Sequence, residues 1–176
     1  KTLGVKKIIV KKKPKIIFYT TGNEISNNIK LPSWKVRNSN SYYLKSSLEN
    51  LPFNFVEKKI LRDSDLIKFK KEIKNNLKSN TDLIITSGAV SAGKFDFVPK
   101  IINSFELKYY FKGAFIRPGK PIMFAKFKNN KAFFGLPGNP ISSAACFRFF
   151  VLPFLNFSTG LREKKPISAK IKNQLF

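Results

Sequence analysis

Two apolar runs, residues 15–20 (Lys-Ile-Ile-Phe-Tyr-Thr) and 82–86 (Asp-Leu-Ile-Ile-Thr), constrain the fold of this chain more than any other feature. A run that is apolar at successive positions, not at alternate ones, has to be covered on both faces, which is the condition of a central strand in a parallel sheet. Each run ends in small residues: Thr21-Gly22-Asn23-Glu24 after the first, and Ser87-Gly88-Ala89-Val90-Ser91-Ala92-Gly93 after the second. Between them, residues 40–51 carry Tyr43, Leu44, Leu48 and Leu51 at helical spacing, and residues 53–57 read as a short strand. Residues 64–79 then set Leu66, Phe69, Ile73 and Leu77 on one face with lysines on the other, again a helix. Downstream, residues 96–105 predict a short helix, and residues 114–116, 122–127 and 132–134 predict strands, with Asn129-Asn130 as a hairpin turn. Asn139 as N-cap and Pro140 as first helical residue open an apolar helix over residues 141–155, whose all-round apolarity predicts a central place or an interface.

Strands alternating with helices predict an α/β fold: a three-layer, mostly parallel sheet with helices on both faces, its loops gathered at the carboxyl ends of the strands, where ligands bind. This unit spans residues 15–160. Residues 1–14 read as a connection from an upstream domain, and residues 161–176 as the start of a truncated C-terminal β domain, so a fragment of a longer protein is expected.

A formal charge of +24, from 34 Lys and Arg against 10 Asp and Glu, attracts polyanions. The lysines are spread along the chain and the phenylalanines sit in apolar runs, so a lysine-rich composition of the kind AT-rich genomes produce is favoured over a specific nucleic-acid partner. Cys146, the single cysteine, excludes an internal disulfide and fits a reduced, cytoplasmic protein. The absence of His excludes His-based catalysis and an ordinary zinc site. The longest apolar stretch, residues 144–157, is interrupted by Arg148, Pro153 and Asn156 and reads as too short and broken to span a bilayer, so no membrane partner is expected.

Small residues after a buried strand let backbone N–H groups approach an anion, which makes the turn at Ser87, Gly88, Ser91 and Gly93 a candidate phosphate cradle. Arg117-Pro118-Gly119-Lys120-Pro121 and Leu136-Pro137-Gly138-Asn139-Pro140 are two further rigid turns, and three such turns suggest one pocket built from several loops. Asp96 follows the glycine turn, where it could hold magnesium over phosphates or cap a helix. Asp63 is open between a helix cap and a catalytic role, and Glu24 between a solvated loop and a third acidic group of the crevice. Arg117 and Lys120 could neutralise phosphate or an oxyanion.

Taken in order and spacing, Thr20 to Glu24, Asn38-Ser39-Asn40, Arg62-Asp63, Thr86 to Asp96, Arg117 to Pro121 and Gly135 to Pro140 resemble the molybdopterin molybdenumtransferase family. The resemblance implies a transferase of molybdenum cofactor biosynthesis that inserts molybdenum from molybdate into adenylyl-molybdopterin, releases AMP, uses Mg2+ and works as a homodimer. It implies that Glu24, Asp63 and Asp96 are catalytic, with Asp96 and Glu24 toward the metal. It further implies that Thr21, Gly22 and the glycine turn bind substrate, and that Arg117 to Lys120 and Pro137 to Pro140 line the pterin and molybdate side. Molybdopterin adenylyltransferase, or a non-catalytic module of the same fold, is the alternative. Four positions depart from the family pattern: Ala89 where Gly is usual, Arg117 where Lys is usual, Asn38 where Asp is common, and Gly113 in place of a Lys. Ala89 would be poorly tolerated if its φ must be positive.

Overall fold

The computed structural model describes residues 4–62, 64–89, 97–161 and 167–169. The two apolar runs form adjacent parallel strands, β1 (Lys15–Thr20) and, fifth in chain order, β5 (Leu83–Ser87), paired from Ile16 with Leu83 to Thr20 with Ser87. Between them lie the two-residue strands β2 (Ile25–Ser26) and β3 (Val36–Arg37), helix α1 (Ser39–Leu48), strand β4 (Asn54–Glu57) and helix α2 (Leu66–Lys78). Helix α3 (Phe97–Ile102), strands β6 (Leu107–Lys112), β7 (Met123–Phe127) and β8 (Ala132–Leu136), and helices α4 (Pro140–Cys146) and α5 (Leu152–Thr159) follow, the last two joined by a π turn at Phe147–Val151.

The main sheet has the order β4-β1-β5-β8-β7-β6. The first four strands are parallel, while β7 runs antiparallel to both β8 and β6. Successive β1 and β5 residues feed opposite cores: Ile16, Phe18, Leu83 and Ile85 pack under α1, α4 and α5, whereas Ile17, Tyr19 and Ile84 pack under α2 and α3. All of these side chains are buried, each worth roughly 1.5–3 kcal/mol relative to exposure. The sheet is therefore the middle of three layers, mostly parallel, as the apolar runs require.

Two expectations need correction. No strand forms at residues 114–116, where the chain closes back on itself as Gly113 donates its N–H to Ile122 and Ala114 to Lys120. The neighbouring strand is β6, which alternates half-buried and exposed residues at the margin of the sheet, a pattern its lysines hide from a search for apolar runs. The second correction concerns the apolar helix, which is continuous over Pro140–Thr159 and, by length and composition only, long enough to cross a membrane. Pro153 does not stop it, because the π turn just before Pro153, where the Leu152 N–H reaches back to Phe147, absorbs the missing donor. The helix lies in an outer layer, not at the centre, with Cys146, Phe147, Val151 and Leu155 in the core and Phe149 and Phe157 exposed.

Candidate functional site

The parallel strands β4, β1, β5 and β8 all end at one side of the sheet, and antiparallel β7 begins there, since Met123 pairs with Gly135 and Lys112 of β6. Five connections therefore emerge together: those after Thr20, Glu57, Ser87 and Leu136, and the one between Lys112 and Met123. The chain leaves β1 toward β4 on one flank and leaves β5 toward β8 on the other. Neighbouring strands whose connections diverge leave a crevice outside their carboxyl ends, the usual ligand position of such sheets.

At that point Thr21 joins the two strand ends. Its N–H and its hydroxyl both donate to the Ser87 carbonyl, at 2.9 and 3.1 Å. Gly22 donates to Leu61 (3.0 Å), and Gly88 donates to Leu136 (3.0 Å), which ties the glycine turn to the end of β8. Gly88 has φ +93°, and a Cβ there would lie 2.6 Å from the Thr21 carbonyl oxygen and 2.7 Å from its hydroxyl. Only glycine lets the two backbones approach this closely. A Cβ on Gly138 would stand 3.4 Å from the Gly88 Cα, so the Pro137-Gly138 turn rests directly on the glycine turn. Ala89, at φ +50°, occupies the left-handed region that makes a non-glycine residue costly by roughly 1–2 kcal/mol.

Glu24 is exposed at the rim, with its carboxylate folded back over Gly22: a Cβ on Gly22 would be 2.7 Å from both oxygens. Arg117, Pro118 and Lys120 are exposed on the β6–β7 connection, and Gly119 is buried against α4, its carbonyl accepting from the Cys146 thiol at 3.3 Å. Burial pushes that thiol up to about 11, so it stays protonated and is a packing group, not a nucleophile. Asn139 caps α4 by accepting from the Ser142 N–H (3.1 Å), with Pro140 at the first turn. Asp63, Ser91, Gly93 and Asp96 lie outside the described residues. The structure thus brings Thr21, Gly22, Ser87, Gly88, Pro137 and Gly138 into one contact cluster, with Glu24 beside it and Arg117 to Lys120 on the same side of the sheet.

Three polar residues of this region had no role assigned from the sequence. Asn40, 7 % exposed at the start of α1, donates from Nδ2 to the Ser87 hydroxyl (2.6 Å) and to the Gly138 carbonyl (2.9 Å). Asn38 caps α1, accepting from the Ser41 N–H and the Thr20 hydroxyl while donating to Glu57 Oε1 at 3.2 Å. Glu57 thereby joins the strand-end polar groups. Below them, the Tyr19 hydroxyl donates to Glu72 (3.1 Å) and accepts from Asn76 (2.6 Å). Burial holds that phenol well above its ordinary value, so it too remains protonated. The sequence signal for Asn40 is its place in the Asn38-Ser39-Asn40 motif, which carries the resemblance but does not say what the amide holds.

A family model described as "Probable molybdopterin binding domain" matches residues 17–156. The chain belongs to this family. Among its curated relatives is the molybdenum cofactor synthesis protein cinnamon of Drosophila melanogaster, 36% identical over 153 residues, covering 86% of this chain and 25% of that protein. Molybdopterin molybdenumtransferases of Synechocystis (33% identical, 86% of this chain, 39% of that protein) and Staphylococcus epidermidis (33%, 94% and 39%) match likewise. This molybdopterin-binding-type domain therefore spans between a quarter and two fifths of the length of these relatives. Of the solved structures, the molybdopterin biosynthesis MoeA protein of Pyrococcus horikosii superposes with a TM-score of 0.69 at 29% identity, covering 84% of this chain and 36% of that one. A MoaB molybdopterin biosynthesis enzyme from Thermus shares the fold, with a TM-score of 0.63 at 16% identity over 83% of this chain and 96% of that one.

Proposed function

We propose that this domain is the substrate-holding part of a molybdenumtransferase, a protein of molybdenum cofactor biosynthesis that inserts molybdate-derived molybdenum into adenylyl-molybdopterin with release of AMP. The observation that carries the reading is the contact cluster at the β1/β5 crevice, where three separate turns, all short of side chains, pack backbone against backbone through Thr21, Gly88 and Gly138. Glycine turns packed this closely leave room beside them for a pyrophosphate-containing ligand, whose oxygens exclude bulky side chains. The relatives named molybdopterin molybdenumtransferase support the same reading.

In this reading the turn after β5 cradles the diphosphate, Arg117 and Lys120 draw in molybdate, which is a substrate, Glu24 and Asp96 would hold Mg2+, and Asp63 is a third acidic group of the reaction. Carboxylate oxygens suit that hard ion, which keeps several waters and needs only one or two protein ligands. Among the described residues Glu24 is the donor of this set, and no described group of three His, Cys, Asp or Glu stands close enough to cage a metal. When bound, Mg2+ would supply charge neutralisation on the diphosphate. The residues themselves need only hold and orient two anionic reactants, work that requires no titrating His.

The test is molybdate-dependent AMP release from adenylyl-molybdopterin by the full-length protein, measured with and without Mg2+, beside Glu24→Gln and Asp96→Ala. Release that depends on molybdate and falls at least tenfold in either variant supports the proposal. Release that ignores molybdate, or full activity in both variants, refutes it.

A further inference from the structure

Asn40 raises a question that the proposed reaction does not answer: why a buried helix residue should spend both its amide hydrogens on the strand-end turns. The identity of its nitrogen is fixed by chemistry, because the atom 2.9 Å from the Gly138 carbonyl faces an obligate acceptor and so must be the NH2 group. The same nitrogen lies 2.6 Å from Ser87 Oγ. Ser87 therefore accepts there, and its own hydroxyl hydrogen points away from Asn40. Ser87 is 1 % exposed, at the carboxyl end of a central strand, and among the described residues its hydroxyl hydrogen meets no acceptor. A hydroxyl oxygen that accepts from one neighbour keeps its own hydrogen for a further acceptor.

We propose that Asn40 is a positioning residue that turns the Ser87 hydroxyl into a dedicated hydrogen-bond donor for a phosphate oxygen of the ligand, and that pins the Pro137-Gly138 turn over the glycine turn while doing so. Both amide hydrogens are consumed inside the protein, so Asn40 gives the ligand nothing directly. Its effect passes through Ser87 and Gly138. The inference rests on the reading of the crevice as a nucleotide-phosphate site and adds to it the group that sets the direction of one donor. An Asp at this position has the same shape and the opposite consequence: it would accept the Ser87 hydrogen and withdraw the donor from the ligand, and it would face the Gly138 carbonyl with like polarity.

The experiment measures AMP affinity by calorimetry in the full-length protein for wild type, Asn40→Asp, Ser87→Ala and the double variant, with KM and kcat for molybdate-dependent AMP release from the same proteins. A hydrogen bond to a charged oxygen predicts that Ser87→Ala and Asn40→Asp each weaken AMP about 10- to 100-fold. The double variant should bind no more weakly than the weaker single variant, because both remove the same donor. KM should rise with kcat changed much less, as expected for uniform binding of substrate and transition state. Additive losses in the double variant, or wild-type AMP affinity in Ser87→Ala, would overturn the inference, and Ser87→Ala decides the matter even if Asn40→Asp fails to fold. Failure of wild type to bind AMP overturns it too. Coupled AMP binding in a protein without molybdate-dependent turnover would leave this inference standing and sink only the proposed reaction.

Discussion

Gly88→Ala is the substitution whose cost is best defined by the geometry. The residue has φ +93°, where a side chain is strained by roughly 1–3 kcal/mol. The new Cβ would lie 2.6 Å from the Thr21 carbonyl oxygen and 2.7 Å from Thr21 Oγ1. Neither atom can retreat freely, because Thr21 is bonded to Ser87 and Gly88 to Leu136, so relief means parting the ends of β1, β5 and β8. Forcing a methyl group into a packed site of this kind costs a further ~1–3 kcal/mol. Against this, Ala narrows the unfolded ensemble and returns ~0.4–1 kcal/mol. The net loss is about 3 kcal/mol. For a domain of this size each kcal/mol moves Tm by roughly 2–4 °C, so thermal unfolding of the full chain should show a drop of about 6–12 °C. Gly138→Ala is the internal control: its Cβ would sit 3.4 Å from the Gly88 Cα with no positive φ, and its cost should be about 1 kcal/mol or less. A Gly88→Ala protein melting within about 2 °C of wild type would refute the claim that backbone contact between the β1 and β5 turns requires glycine.

Asn38→Asp replaces the donor to Glu57 Oε1, now 3.2 Å away, with a second carboxylate, and should cost about 1 kcal/mol at neutral pH in urea denaturation. Adding Glu57→Gln removes the facing carboxylate and should recover most of that loss. Asn139→Ala deletes the acceptor for the Ser142 N–H and should cost about 1 kcal/mol, read as a lower urea midpoint with unchanged slope. Cys146 is neutral in the fold up to about pH 11 but ionises near 9.0 when exposed, so the stability its burial contributes is complete below pH 9 and lost as pH climbs toward 11. The urea midpoint of Cys146→Ala should therefore fall less steeply than that of wild type across that window, and identical slopes would contradict the burial.

What could be read from the sequence was whatever burial writes into consecutive residues. The runs at Ile16 to Tyr19 and Leu83 to Ile85 carry both cores at once, so they announced central strands and, through their glycine turns, the side of the sheet on which the candidate site lies. Strand β6 was illegible because half of each residue pair faces solvent and three of its positions, Lys108, Tyr110 and Lys112, are exposed. The helix was legible through Pro153, but its full length over Pro140–Thr159 was underestimated, because a π turn accommodates a missing donor without ending a helix, an adjustment that local propensity does not record. Within the site, glycines and prolines marked the turns, but the contacts by which Asn38 and Asn40 tie the strand ends together reach partners 18 to 98 positions away and could not be inferred from spacing. Ala89 is the converse case: an alanine where glycine is usual raised the question of its φ, and the structure places it at +50°.

The two outermost strands of the sheet bear on how such a lysine-rich chain would meet a second copy of itself. A margin strand carries a row of unsatisfied amides and carbonyls that can template pairing with another copy. One margin, Asn54–Glu57, offers only four residues. On the other, the ammonium groups of Lys108 and Lys126 lie 5.6 and 5.9 Å from the Tyr110 ring centre, and that of Lys112 lies 3.8 Å from the centre of Tyr109. An approaching copy of β6 would bring the same cations against them, and their mutual repulsion would oppose pairing along that margin.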